Sequence, residues 1–197
     1  MELSVVSRAE SLVERISKAD ERCPASSATR LELFDVPVPS DLRRYGTAVK
    51  ASALGDPSNR PMLVLGGISA NCFPATRPDG GLGWWPGLVG AECAIDPADF
   101  YIVGVDFAAD ESGASAPTTA QQARGGAAEG CPGGGRRPCV FVGASYGAMV
   151  GLALAETDTD RFDRMVVISG ACEPHPASTP APELQRGVVA LGLGSGR

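Results

Sequence analysis

Four short runs of apolar residues stand out along the chain: Pro61–Leu65, Phe100–Asp106, Cys139–Val142 and Arg164–Gly170. Their apolar positions are continuous rather than alternating, which fits strands covered on both faces, as in a parallel sheet. Helical connectors between such strands would produce right-handed βαβ units, so the pattern predicts an α/β fold with a mostly parallel sheet. The run Ala148, Met149, Val150, Leu152, Ala153 and Leu154 predicts a helix over Tyr146–Glu156 directly after the third strand. Upstream, Leu31–Val38 and Tyr45–Ala53 read as two further strands, paired antiparallel across a break at Pro37, Pro39 and Ser40. Gly55–Asn59 then turns the chain. Nearer the start, Val5, Val6, Ala9, Leu12, Val13 and Ile16 recur at helical spacing over Ser4–Glu21, followed by a linker over Cys23–Thr29. The expected organisation is an N-terminal helix and linker over residues 1–30 and one α/β domain over residues 31–197.

The connector between Asp106 and Cys139 conflicts with this plan. It holds Gly125, Gly126, Gly130, Gly133, Gly134 and Gly135 with Pro132 and Pro138. Each glycine costs a helix about 1 kcal/mol and each proline about 3 kcal/mol. Only Thr118–Ala123 has a helix start, with Thr119 as N-cap and Gln122 three residues on. The remainder reads as coil.

Composition narrows the function classes. The 197 residues are 44% hydrophobic and 20% charged, with a formal net charge of -6. These are the values of a folded domain. No basic stripe is available for phosphates, so a nucleic-acid partner is not expected. The first twenty residues lack a basic segment followed by an apolar core, and no run is long enough to cross a membrane. A cytoplasmic location and no membrane association follow as expectations. Six cysteines without a Cys-x-x-Cys pair, together with a single histidine, argue against a metal site and for free thiols.

The candidate chemistry lies where the third strand meets its helix. Gly143-Ala144-Ser145-Tyr146-Gly147 is a Gly-x-Ser-x-Gly string in strand–turn–helix context, which is what a nucleophile elbow requires. There a serine stands on a strained turn with its hydroxyl exposed, and the N–H of the next residue, Tyr146, faces a developing oxyanion. A second donor is expected from the loop after an early central strand. Gly66-Gly67-Ile68-Ser69 is that loop, and the Ile68 N–H is the selected donor. A base is harder to find. In such sites the acid and then the histidine follow the nucleophile along the chain, whereas His175 comes directly after the next strand, between Pro174 and Pro176. It reads as a solvated or structural residue. Asp158, Asp160 and Asp163 read as a charged turn. Gly192–Arg197 has no helix after it, which excludes a dinucleotide loop. Trp84-Trp85 either lines a pocket or anchors its own loop.

These segments occur in a familiar order. Gly66-Gly67-Ile68-Ser69-Ala70, Gly83-Trp84-Trp85-Pro86-Gly87-Leu88-Val89-Gly90, Ala94-Ile95-Asp96, Phe100–Asp106, the elbow, Val166–Ala171 and Gln185-Arg186 together resemble the homoserine O-acyltransferases. The resemblance spans about Leu31 to Leu193 and is nearest to the homoserine and serine O-succinyltransferases of the α/β-hydrolase type. It implies an α/β-hydrolase sheet with flanking helices. It implies transfer of a succinyl or acetyl group from acyl-CoA to homoserine or serine, in methionine biosynthesis, with no bound cofactor; a homodimer is compatible with it. Ser145 would carry the acyl group, and Ile68 and Tyr146 would form the oxyanion hole. Gly66, Gly67, Ile68 and Ser69 would discriminate substrates, and Arg186 would touch the acyl or CoA portion. The family's lid, substrate-binding arginine and catalytic Asp and His fall beyond Arg197. The chain therefore looks like a part of such an enzyme lacking its last strands. The alternatives are a serine esterase of the same fold and a fragment that retains Ser145 without its partners.

Overall fold

The computed structural model describes residues 30–110, 116–130 and 138–172. The expected N-terminal helix, His175 and Arg186 lie outside the described residues. The strands are β1 (Leu31–Pro37), β2 (Ala48–Leu54), β3 (Arg60–Leu65), β4 (Phe100–Val105), β5 (Cys139–Ala144) and β6 (Phe162–Ile168). They form one sheet in the order β1-β2-β4-β3-β5-β6. The β1–β2 and β2–β4 pairs are antiparallel, and β4, β3, β5 and β6 run parallel. The mostly parallel sheet expected from the apolar runs is present. The second strand begins later than expected because Ser40–Tyr45 forms a 3-10 helix, ended by Gly46 at φ 111°. Leu42 and Tyr45 enter the core from that turn rather than from a strand.

Alternation along each strand divides the core in two. Leu63, Leu65, Val103, Val105 and Phe141 face the helices, with Val150 and Leu154 packed over them. Met62, Val64, Ile102, Val140 and Val142 face the other way. That second face holds a correction. No helix connects β3 to β4; residues 66–99 are turns and isolated bridges, Thr76 with Leu82 and Val89 with Ile95. Pro74, Pro78, Pro86 and Pro97 with five glycines between 80 and 90 deny the segment a helical ladder. Its apolar side chains, led by Val89, Ile95, Trp84 and Trp85, cover the sheet instead.

The connector from β4 to β5 is the second correction. Helix α1 (Thr119–Gln122) is capped by Thr118, not Thr119: the Thr118 hydroxyl accepts the Gln121 N–H at 3.2 Å, and Gln121 Oε1 accepts the Thr118 N–H at 2.9 Å. As far as Gly130, the expected coil after Ala123 is helical. A π-type segment, Ala123–Ala127, is kinked at Gly125 (ψ −109°) and leads into α2 (Ala128–Gly130). Packing explains why glycines survive here. A Cβ on Gly126 would meet Val49 Cγ2 at 2.8 Å and Val105 Cγ1 at 3.0 Å, and one on Gly130 would meet Val105 Cγ2 at 2.5 Å. The backbone lies so close to the sheet that only glycine fits, and this contact outweighs the weak propensity. Arg161 Nη1 donates to the Ala128 carbonyl at 2.9 Å and supports this segment from the far side of β5. Cys93, expected as a free thiol, is disulfide-bonded; Cys72 and Cys139 are buried free thiols and Cys172 is an exposed one.

Candidate active site

β3 and β5 are neighbours, with Leu65 level with Gly143. Their C-terminal ends therefore emerge side by side, which brings the Gly66–Ser69 loop to the Gly143–Gly147 turn. Helix α3 (Tyr146–Thr157) starts at once after β5. The turn between them has room for a single residue, Ser145, at φ 52° and ψ −118°. That combination lies outside the regions open to a residue with a Cβ and stores strain at the tip. Ser145 is exposed. Its N–H donates to the Ile168 carbonyl at 2.8 Å, and its carbonyl accepts from Met149 at 3.2 Å.

Gly147 holds the turn against the neighbouring loop. Its N–H donates to the Gly66 carbonyl at 2.8 Å. A Cβ there would sit 2.5 Å from that oxygen and 2.6 Å from the Leu65 carbonyl carbon and oxygen. Gly66 is constrained in turn, since a Cβ would meet Ala70 Cβ at 2.4 Å and the Trp84 ring at 2.9 Å. Trp84 thus anchors its loop: its ring stacks on Trp85 with centroids 5.0 Å apart, and its Nε1 donates to the Asn71 carbonyl at 2.8 Å. Farther along, the Asp106 carboxylate accepts the Cys72 N–H. Among the described residues, the backbone N–H groups of Ile68 and Tyr146 have no acceptor. Gly67 has open space around it, while Ile68 and Ser69 are exposed. The two donors selected from the sequence thus belong to the two loops that Gly147 joins.

Beside them opens a cavity of about 580 Å³, with Ile68, Asn71, Asp106, Phe107, Gln122 and Tyr146 among its walls. Tyr146 stands edge-on to Phe107, centroids 4.9 Å apart, and its hydroxyl donates to the Pro117 carbonyl at 3.4 Å. Burial raises the Tyr146 phenol above its ordinary pKa, so the ring stays neutral. Cys72, near the same wall, is no competing nucleophile: burial, and next the Asp106 charge, push its thiol up to about 12. Gln122 is a wall residue that the sequence reading passed over as a mere helix-start position. It is buried, and its amide both donates to the Ala108 carbonyl (2.7 Å) and accepts the Ala108 N–H (2.9 Å). A polar residue on an otherwise alanine-rich helix face was the available signal. Asp106, at the end of an apolar strand, was another. Among the described residues no group of three His, Cys, Asp or Glu side chains is placed to hold a metal ion, and no helix is long and apolar enough to cross a membrane.

No protein-family model matches the sequence. A homoserine O-succinyltransferase of Xanthomonas campestris pv. campestris is 42% identical over 135 residues, which is 66% of this chain and 36% of that protein. The chain is related to homoserine O-succinyltransferase. It spans little more than a third of that relative's length. A serine O-succinyltransferase of Frateuria aurantia is 33% identical over 66 residues, covering 32% of this chain and 18% of its own length. Among solved structures, a homoserine O-acetyltransferase from Staphylococcus aureus superposes with a TM-score of 0.61 at 15% identity, covering 83% of this chain and 54% of that one. A homoserine O-acetyltransferase from Bacillus anthracis gives 0.53 at 18% identity over 71% and 46%. At such identities the likeness speaks for the fold, which is the α/β-hydrolase fold expected from the resemblance. The family expected from the Trp-Trp-Pro-Gly segment and the elbow flanks is likewise the one that the relatives carry in their names.

Proposed function

We propose that the chain carries the nucleophile and oxyanion site of an acyl-CoA-dependent homoserine O-acyltransferase. The observation that carries this is the strained, exposed Ser145, held by Gly147 against the loop that bears Ile68. Ser145 Oγ attacks the thioester carbonyl. The Oγ–C bond forms, the C–S bond breaks, and CoA leaves as a thiol with the serine proton. The homoserine hydroxyl then attacks the acyl-serine: the new ester bond forms, the Oγ–acyl bond breaks, and the homoserine hydroxyl proton passes to Ser145. In both steps the negative oxygen sits between the Ile68 and Tyr146 N–H groups, where removal of one such donor costs about 10²–10³ in rate. The Xanthomonas relative favours succinyl-CoA as donor and homoserine as acceptor, and the Frateuria relative makes serine the second acceptor. Arg186 is the residue we assign to the acyl or CoA portion. The role belongs to methionine biosynthesis in the cytoplasm.

The described residues include no histidine. The first step can be tested on this chain directly, by the mass of the protein. Succinyl-CoA is expected to add one succinyl group to Ser145, read by intact mass, with none added to Ser145→Ala. L-homoserine is expected to discharge it faster than water does. Discharge at one rate with and without L-homoserine makes the protein an esterase; no label at all leaves a fragment without chemistry.

A further inference from the structure

We propose that Ser169 is a specificity-determining residue of this site, donating a hydrogen bond to the carboxylate end of a succinyl group carried on Ser145. The inference rests on the acyl-enzyme reading above and deepens it. β5 and β6 pair in parallel with Ala144 level with Ile168, so the next residues, Ser145 and Ser169, leave the sheet side by side. Neighbouring strands lie about 4.8 Å apart. Both serines have φ 52°, and Glu92 is the one other non-glycine among the described residues with positive φ. The peptide linking Ile168 to Ser169 is fastened to the elbow, because the Ile168 carbonyl accepts the Ser145 N–H at 2.8 Å. The glycine of this turn stands one position later. A Cβ on Gly170 would meet Ala148 Cβ, in the first turn of α3, at 2.6 Å. Glycine is thus used at 170 for close approach, while the strained position holds a serine. Strain of this kind clusters where function requires it. Ser169 is exposed, and its hydroxyl has no hydrogen-bond partner among the described residues.

The sheet order decides what that hydroxyl meets. β3 and β6 flank β5 on opposite sides. The oxyanion donors lie towards β3, and Ser169 lies on the other side of Ser145. Towards β3 and β4, the described walls of the cavity carry the Asp106 carboxylate and no lysine or arginine. A carboxylate-terminated acyl chain is repelled there. The β6 side is left to it, and Ser169 is the hydroxyl it finds. An acetyl group carries no carboxylate to accept this bond.

The test is single-turnover acylation of the full chain by succinyl-CoA and by acetyl-CoA, read by intact mass. Ser169→Ala keeps the left-handed backbone and removes the hydroxyl. It is expected to slow succinylation about tenfold, the loss of one hydrogen bond to a charged group, and to leave acetylation unchanged within about twofold. Ser169→Gly is expected to lose the same preference while melting about 2–4 °C above the wild type, which separates the chemical role from folding. Equal slowing with both donors, or no slowing, overturns the assignment to Ser169 while leaving the acyl-enzyme standing. A wild-type chain that takes label from neither donor overturns the acyl-enzyme and this inference with it.

Discussion

The helix after the elbow and the helical segment before β5 use the same device and look unlike each other in sequence. In α3, Gly147 presses on the Leu65–Gly66 backbone and Gly151 faces the ring of Phe141, where a Cβ would come within 2.0 Å. In the crossover, Gly126 and Gly130 press on Val49 and Val105. Both sets of glycines seat a helix against the sheet. In α3 they alternate with Ala148, Met149, Val150 and Leu152, so the helix shows through. In the crossover Gly126 directly follows Gly125, with prolines and more glycines after Gly130, and the same residues read as breakers. What separates a seat from a break is the partner across the gap, which no local pattern contains.

The largest effect that sharpens this contrast is expected at Gly147. In Gly147→Ala the new methyl meets backbone on β3, which cannot turn aside as a side chain would. Overpacking of this kind costs about 3 kcal/mol, measured as a shift in the urea midpoint. Because the same contact aligns Ser145 with the Ile68 loop, succinyl labelling of Ser145 is expected to disappear at urea-free conditions too. Normal labelling in a destabilised variant would mean that the contact supports the helix alone.

Next in size is Gln122→Leu. The amide holds both the N–H and the carbonyl of buried Ala108. Leaving those groups unpaired is expected to cost about 2–3 kcal/mol in urea denaturation. If residues 119–130 were coil, the substitution would be close to neutral. Its activity readout is slower acylation, since the Ala108 loop forms one wall of the cavity.

How much of this was legible depends on how far each residue's partner lies along the chain. β3, β4, β5 and α3 follow from runs of contiguous apolar residues and stand where expected. The elbow is equally local: five residues specify a strand end, a strained tip and a helix start. β6 was legible as a strand but not by its surroundings. Val166, Val167 and Ile168 are 47%, 37% and 39% exposed, although the same apolar run suggested a covered strand, because a run does not state its place in the sheet order. The Gln122–Ala108 and Asp106–Cys72 bonds join residues 14 and 34 apart. A polar side chain that satisfies distant backbone carries no periodic signature. The helix-free cover over residues 66–99 departs from the βαβ pattern for a related reason: its prolines and glycines deny it a helix, and the sheet face it covers lies on strands distant in sequence.

Gly130→Ala tests the comparison by sign rather than size. Helix propensity alone predicts a gain of about 1 kcal/mol. The 2.5 Å approach of a Cβ to Val105 Cγ2 predicts a net loss of about 1 kcal/mol once that gain is subtracted. A lower urea midpoint supports the seated helix, whereas a higher one restores the flexible connector expected from the sequence.

The smallest effect is expected at the elbow itself, where local conformation opposes stability. Ser145 holds φ 52° and ψ −118°, a conformation open to glycine and costly to any residue with a Cβ, by about 1–2 kcal/mol. Ser145→Ala keeps that cost and removes the hydroxyl, so its stability is expected to match the wild type within about 0.5 kcal/mol. Ser145→Gly removes both. Glycine also gives up more backbone freedom on folding, about 0.5–1 kcal/mol, so the net gain over Ser145→Ala is about 1 kcal/mol. Comparing the two in one urea series isolates the strain from the chemistry, since neither is labelled by succinyl-CoA. The crossover glycines show a backbone made compliant so that a helix can approach the sheet. At the elbow the chain keeps a side chain where glycine would be more comfortable, and the hydroxyl is what it keeps by doing so. Equal stability of the two variants would remove the strain argument and leave Ser145 resting on its position alone.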